Sequence, residues 1–452
     1  MNAKIHTPGD FPLFDEAEWR ALAAASINAP DLSVLVSRSD DGLPVGPIYP
    51  AAAMLPILAP AKPWTIVARI DAGEGPAAAS AARAAAEGGA GAAMLVLDRS
   101  AVARGRGMPE DGLAAFAALL RGGPAESLAL AVDAGDATLG AVATLDAAGL
   151  SPSGFVFDPA ATLAALGTSA LRLDDALAAA VGAAGRLPDG TRAILADGRP
   201  WHDGGASEAE ELSAVLAAYV AALRAADAAG IDLGTFAGRA GIALAADTDQ
   251  FLTIAKFRAA RLLVARVLEA SGVEGATPFI HGETAWRSLS RRDPHVNLIR
   301  ATTAAFAAAV GGADTITVLP FGDIGDDAFG RRMAGNTQLV LRDEANLWRV
   351  ADPGAGSGAV ETLTTGLAGA AWDRFRTIEA AGGIIAAVRA GSIQAAIART
   401  RETRLARVAD RAIELVGVNA FAQGAAAPAA GAAQSPPASP ATDAAERAEP
   451  LV

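Results

Sequence analysis

An α/β fold, and within that class a (β/α)8 TIM barrel, is what three features of this sequence predict. Eight short apolar runs lie between Trp64 and Pro320, each is bounded by Gly, Pro, Asp or Ser, and Ala-rich helical patterns separate them. Near-continuously apolar runs of this length read as strands covered on both faces. Strands alternating with helices imply right-handed crossovers and a parallel sheet. Eight such units over roughly 250 residues is the size of a closed barrel.

The runs are Trp64 to Asp71, Ala92 to Asp98, Leu128 to Asp133, Gly154 to Asp158, Arg192 to Asp197, Ile242 to Asp247, Pro278 to Glu283 and Asp314 to Pro320. Helical spacing is clearest over Ala206 to Ala229 and Phe251 to Ser271. The barrel is therefore expected over residues 61–345. Residues 1–60 do not alternate in this way. They hold one helical pattern, Asp15 to Ala25, and then Pro44, Pro47, Pro50, Pro56, Pro60 and Pro63, a composition that favours an extended, partner-wrapping arm over a packed domain. Glu361 to Ala390 and Ser392 to Leu415 read as a helical flank over 346–421. Residues 422–452 are rich in Ala, Pro, Ser and Gly, which predicts a disordered tail.

Composition narrows the function. The hydrophobic fraction of 52% is raised by alanine, the best helix former, and so indicates many packed helices. No window reads as a membrane span, and residues 1–10 lack the pattern of a secretory signal, so a soluble cytoplasmic protein is expected. The absence of cysteine excludes thiolate catalysis and cysteine-ligated metals, and four histidines (His6, His202, His281, His295) are few for a multi-histidine metal site. A net charge of −13 argues against a nucleic-acid partner.

Six of the predicted strands end in aspartate: Asp71, Asp98, Asp133, Asp158, Asp197 and Asp247. A ring of carboxylates at the C-terminal rim of a barrel could be acid/base or metal machinery. The preferred reading is that they are N-caps and turn residues at the starts of the following helices.

Several segments carry a resemblance. They are Phe11-Pro12 with Glu18-Trp19-Arg20, Asp41-Gly42-Leu43-Pro44-Val45 with Pro47-Ile48-Tyr49, and Pro63-Trp64-Thr65-Ile66-Val67. Further on come Lys256-Phe257-Arg258-Ala259-Ala260-Arg261, Asp293-Pro294 with Asn297 to Thr303, and Asn336-Thr337-Gln338. Val350-Ala351-Asp352-Pro353, Ala381-Gly382-Gly383 and Val416-Gly417-Val418-Asn419 follow. In this order and spacing the chain resembles the methylmalonyl-CoA mutase family, and within it the small, non-catalytic subunit.

The resemblance implies a CoA-threaded barrel followed by a cobalamin-binding domain with an Asp-x-His-x-x-Gly signature. The sequence departs from that plan, reading as a short form without that domain. Its one near match, Asp293-Pro294-His295-Val296-Asn297-Leu298, has Leu in place of Gly and lies in the segment after the seventh strand. Substrate motifs differ as well. The family's His-x-Gln-Thr-Ser-Gly run corresponds to His281-Gly282-Glu283-Thr284-Ala285-Trp286, so a carboxylate replaces the amide and would repel a carboxylated acyl group. The Tyr-His pair corresponds to the stretch Arg199-Pro200-Trp201-His202, with Pro200 at the histidine position, and the substrate-binding Gln corresponds to Asp314. The Tyr-containing loop of the active N-terminal region has no counterpart before Trp64.

Pro200, His202, His281, Glu283 and Asp314 are thus remnant positions, and no catalytic, cofactor-binding or metal-ligating residue is expected. His202 and His281 read as simply hydrogen-bonded or solvated, Arg300 as structural, and Lys256, Arg258 and Arg261 as a solvated or interface face. The expected role is an auxiliary subunit, in a heterodimer with a larger catalytic subunit that holds adenosylcobalamin. CoA ester binding, nucleic acid and membrane are not expected of this chain. Two alternatives stand beside this: a working substrate barrel that borrows cobalamin from a separate subunit, and a CoA-binding scaffold.

Overall fold

The computed structural model describes residues 15–56, 58–322, 328–422, 445–448 and 450–451. Its centre is a closed barrel of eight parallel strands: β1 Thr65–Ile70, β2 Ala92–Val96, β3 Ala129–Asp133, β4 Gly154–Val156, β5 Arg192–Asp197, β6 Ala240–Ala246, β7 Phe279–Thr284 and β8 Thr315–Thr317. Each strand pairs in parallel with its neighbours in sequence, β5 and β6 with a register shift between Ile194 and Ala196, and β8 closes on β1 through Thr315 opposite Thr65. All eight predicted runs are strands, and the (β/α)8 fold class holds.

The described helices are α1 Glu16–Ser26, α2 Gly75–Glu87, α3 Leu113–Leu120, α4 Thr138–Ala147, α5 Pro159–Leu166, α6 Leu173–Ala184, α7 Arg199–Asp203, α8 Glu208–Ala228, α9 Leu233–Ala237, α10 Gln250–Ala270, α11 Val296–Val310, α12 Ala328–Leu339, α13 Gly358–Ala380, α14 Gly383–Arg389 and α15 Ser392–Ala409. No helix among the described residues is long and apolar enough to cross a membrane. The main core lies between the strands and the outer ring, where β-sheet Leu and Ile meet alanines of α5, α6, α8, α10 and α11. Alanine lets helices approach the sheet closely, which explains its abundance. A smaller core fills the barrel axis with Val67, Met94, Val96, Val156, Ile194 and Ala243. Below it Arg192 lies over the Phe279 ring, 5.7 Å from its centroid.

Three expectations are corrected here. The predicted helix over Glu361 to Ala390 is two helices, broken at Gly382 and Gly383, both at positive φ where glycine is favoured. Lys256, Arg258 and Arg261 are not a solvated face. They are buried against three different neighbours: Lys256 pairs with Glu211 of α8, Arg258 with Asp352 and with Glu361 of α13, and Arg261 with Asp314. The expected disordered tail lies largely outside the described residues, but its described end is ordered, with Glu446–Arg447 paired antiparallel to Thr168–Ser169.

The arm over 1–60 divides in two. Ser37–Arg38 and Pro44–Val45 form a hairpin whose tip docks on this chain. Asp41 accepts from Ser207 Oγ and the Ala209 backbone N–H at the start of α8 and pairs with Arg374, while Asp40 pairs with Arg404 and Arg407. By contrast Ala24 is the one buried residue of α1, and Trp19, Leu22, Ile27, Val34 and Leu35 are exposed.

Candidate functional site

The C-terminal mouth of the barrel, where such folds build active sites, is filled by paired charges. Glu283, next to last in β7, points inward and faces three guanidinium groups. Arg104 Nη1 donates to it at 3.1 Å, Arg199 Nη1 at 3.2 Å, and Arg69 Nη1 lies 3.5 Å away. Arg199, on the first turn of α7, also donates to Asp133 at 2.9 Å and to both oxygens of Asp197 at 2.7 and 2.8 Å. Arg104 comes from the loop after β2 at positive φ, binds Asp203 through Nε at 2.8 Å, and lies over the Trp286 ring. Arg69 holds Asp71, which Arg106 reaches from the other side.

Electrostatics follows from this enclosure. Burial pushes the Glu283 carboxyl up, but Arg104, Arg199 and Arg69 outweigh it and hold Glu283 well below the usual carboxylate range. For Asp133 burial prevails over Arg199, aided by neighbouring Asp197, and its pKa is raised. Burial likewise raises Asp203 against the pull of Arg104. The space left between Arg69, Asp71, Arg104, Arg106, Trp286 and Leu319 is about 20 Å³, room for about one water and far short of an acyl-CoA.

The strand-end aspartates meet the N-cap and turn expectation only in part: Asp197 accepts from the Arg199 backbone N–H at the start of α7 at 3.0 Å and Asp247 from the Thr248 backbone N–H at 2.7 Å, yet both also hold arginines. Asp158 does cap α5, accepting from the Ala161 backbone N–H at 3.0 Å. Asp71, Asp133 and Asp197 are partners of the arginine cluster, and Asp247 pairs with Arg287 at 2.9 Å. The cap of α10 is Asp249, two residues beyond. The arginines that convert the ring into a plug carried no local signal, because Arg104 and Arg199 meet Glu283 across 179 and 84 residues.

The remnant positions do not form one constellation. Pro200 lies in the first turn of α7, where a missing N–H costs nothing. His202, at 0% exposure, is held by Glu211 through Nδ1 and Asp247 through Nε2, both at 3.0 Å, and Lys256 shares Glu211 at 2.6 Å. Glu211 and Asp247 are lowered against burial, Glu211 by Lys256 and His202, Asp247 by Arg287 and His202. His281 is inside the barrel, with Nδ1 2.8 Å from Thr315 Oγ1 and Nε2 buried without a partner. Burial and the Arg199 charge lower its pKa to about 3, so it is neutral at physiological pH. Both histidines are thus enclosed rather than solvated at the rim. Asp314 precedes β8 and so lies at the opposite end of the barrel, held by Arg261 at 2.7 Å, the Ile280 backbone N–H at 2.9 Å and Lys62. Arg300 is structural, donating to Asn297 and the Val416 carbonyl.

His202, Glu208 and Asp247 bring ligand atoms within 4.8 Å of one another, a spacing a metal ion could use. Arg287 already occupies that place, 2.9 Å from Asp247 and 3.6 Å from Glu208. The described histidines also offer no fit to a cobalt ion at the mouth. Both nitrogens of His202 are engaged, His281 is enclosed, and His295 lies outside on the exposed start of α11 against Phe321.

Comparison with known proteins places this geometry. The sequence model of the methylmalonyl-CoA mutase family matches residues 183–447. The chain is 47% identical over 235 residues to a methylmalonyl-CoA mutase small subunit of Streptomyces virginiae, covering 51% of this chain and 38% of that protein. It is 44% identical over 259 residues to a probable methylmalonyl-CoA mutase small subunit of Mycobacterium tuberculosis, covering 55% and 41%. A methylmalonyl-CoA mutase small subunit of Propionibacterium freudenreichii subsp. shermanii is 38% identical over 241 residues, covering 52% and 37%. The chain spans about two fifths of the length of these relatives.

Proposed function

The chain belongs to the methylmalonyl-CoA mutase family, and from that premise we propose that it is an auxiliary, non-catalytic subunit of an adenosylcobalamin-dependent mutase. A larger partner chain interconverts methylmalonyl-CoA and succinyl-CoA by a radical rearrangement, and the complex works in the cytoplasm. The observation that carries the reading is the plug. Where a catalytic barrel needs an open mouth, Glu283 is hydrogen-bonded by Arg104 and Arg199, with Arg69 3.5 Å away, and the space left beside them holds about one water. An acyl-CoA could enter only by breaking buried pairs, and breaking one such pair by removing a partner costs about 3–5 kcal/mol.

Adenosylcobalamin supplies the family's radical chemistry, and we assign it to the partner; the enclosure of His202 and His281 supports this. The names of the relatives, small subunits, support a larger partner. The exposed face of α1 and of residues 32–36 supports the arm as the part that reaches it. The test is reconstitution with a larger family member. The complex is expected to turn over methylmalonyl-CoA, whereas this chain alone with adenosylcobalamin shows no turnover and no saturable change in the cobalamin spectrum. Turnover by the isolated chain, or a micromolar dissociation constant for the cofactor, overturns the reading.

A further inference from the structure

Residues 445–448 and 450–451 dock in a groove made by α5, the start of α6, α14 and the end of α7. Their backbone is read directly: Ala445 N–H donates to Ser169 O at 2.9 Å, Ala448 N–H to Gly167 O at 3.0 Å, and Leu451 N–H to Ala164 O at 2.7 Å. Glu446 supplies what α6 lacks locally. Arg172, at the helix N-cap, makes no side-chain cap, and the Leu173 backbone N–H donates instead to Glu446 at 2.7 Å. Glu446 also pairs with Arg389 of α14, which reaches Asp174 at 2.9 Å.

Two glycines are shaped for this segment. Gly167 has φ +72°, and a Cβ there would lie 3.2 Å from Pro450. A Cβ on Gly204 would lie 2.9 Å from the Leu451 Cβ, closer than real contacts allow, so Leu451 seats where that side chain would be.

Gly204 directly follows α7, and α7 carries half of the plug. Asp203 holds Arg104, and Arg199 holds Asp133, Asp197 and Glu283. A helix of five residues has little stability of its own, so its position depends on what grips its ends. Arg287 and Arg404 grip the adjoining 202–206 backbone through the carbonyls of His202, Gly205 and Ala206. We propose that segment 445–451 is a latch on α7 that completes this grip and keeps the arginine plug in its closed arrangement.

The segment belongs to the same chain as the groove, so docking is intramolecular and weak contacts can hold it. Amide hydrogen exchange on the full chain, on a chain ending at Ala444, and on Leu451→Ala tests the latch. Both variants are expected to exchange residues 202–206 about tenfold faster with the barrel strands unchanged. A synthetic peptide of residues 445–452 at millimolar concentration is expected to restore protection to the shortened chain. If truncation also loosens the strands, Leu451→Ala decides. The proposal is overturned if residues 202–206 keep their protection in Leu451→Ala, or if only residues 164–173 loosen, which would make the segment a local cap for α5 and α6.

Discussion

Glu283 sits where three guanidinium groups converge, and that crowding makes it the most consequential single side chain of the mouth. Glu283→Ala leaves Arg69, Arg104 and Arg199 buried without their common anion. It is expected to lower the unfolding free energy by about 3–5 kcal/mol in a denaturant titration. Lys62→Ala, which removes a half-exposed partner of Asp314, is expected to cost under about 1 kcal/mol in the same titration. His281 gives a pH signature. Its folded pKa of about 3 lies below the ordinary 6.5, so its contribution is complete above pH 6.5 and is lost as pH falls towards 3. Between pH 8 and pH 5 that loss amounts to about 2 kcal/mol, and His281→Leu is expected to flatten the stability profile by that amount. An unchanged slope would show that His281 takes up its proton in the folded state. The sequence marked His281 as a retained and Glu283 as an altered motif position. It could not show that Glu283 is neutralised by three arginines, since charge matching over such separations leaves no local pattern.

At the scale of elements, strands were the legible part, because a strand covered on both faces announces itself by an unbroken apolar run. Helix α10 was misread for a related reason. Lys256, Arg258 and Arg261 look like a polar face, yet Lys256 meets Glu211 of α8, Arg258 meets Asp352 and Glu361 across 94 and 103 residues, and Arg261 meets Asp314. The docked hairpin of the arm was not legible, since Asp41 finds its partners on α8 and α13. This division predicts a division of labour. Deleting residues 1–36 is expected to leave the melting temperature of the isolated chain within about 4 °C, because α1 buries only Ala24, while abolishing association with the larger subunit. A shift of ten degrees or more would show that α1 belongs to this chain's own core. Asp41→Ala is expected to destabilise the chain itself by about 1–3 kcal/mol, by stranding the α8 N-terminus and Arg374.

For the whole molecule, the barrel and its family were readable from pattern and motif, and the closed mouth was not. The sequence indicated degraded substrate motifs. The structure adds physical support for the proposed auxiliary role, namely a mouth occupied by its own ion pairs and an axis packed with Val, Met and Ile. In the proposed complex the interface should be of the obligate class, above roughly 2,000 Å², and light scattering of the mixed subunits should show one heterodimer. The most direct measurement is turnover of that complex carrying His202→Ala or His281→Ala, compared with the unaltered complex at matched complex concentration. A general acid or base contributes about 10²- to 10⁴-fold. Rates within about threefold of the unaltered complex, under ~0.7 kcal/mol of transition-state free energy, are what an auxiliary barrel predicts. A fall in kcat of about a hundredfold with the complex intact would make this barrel catalytic and contradict the account.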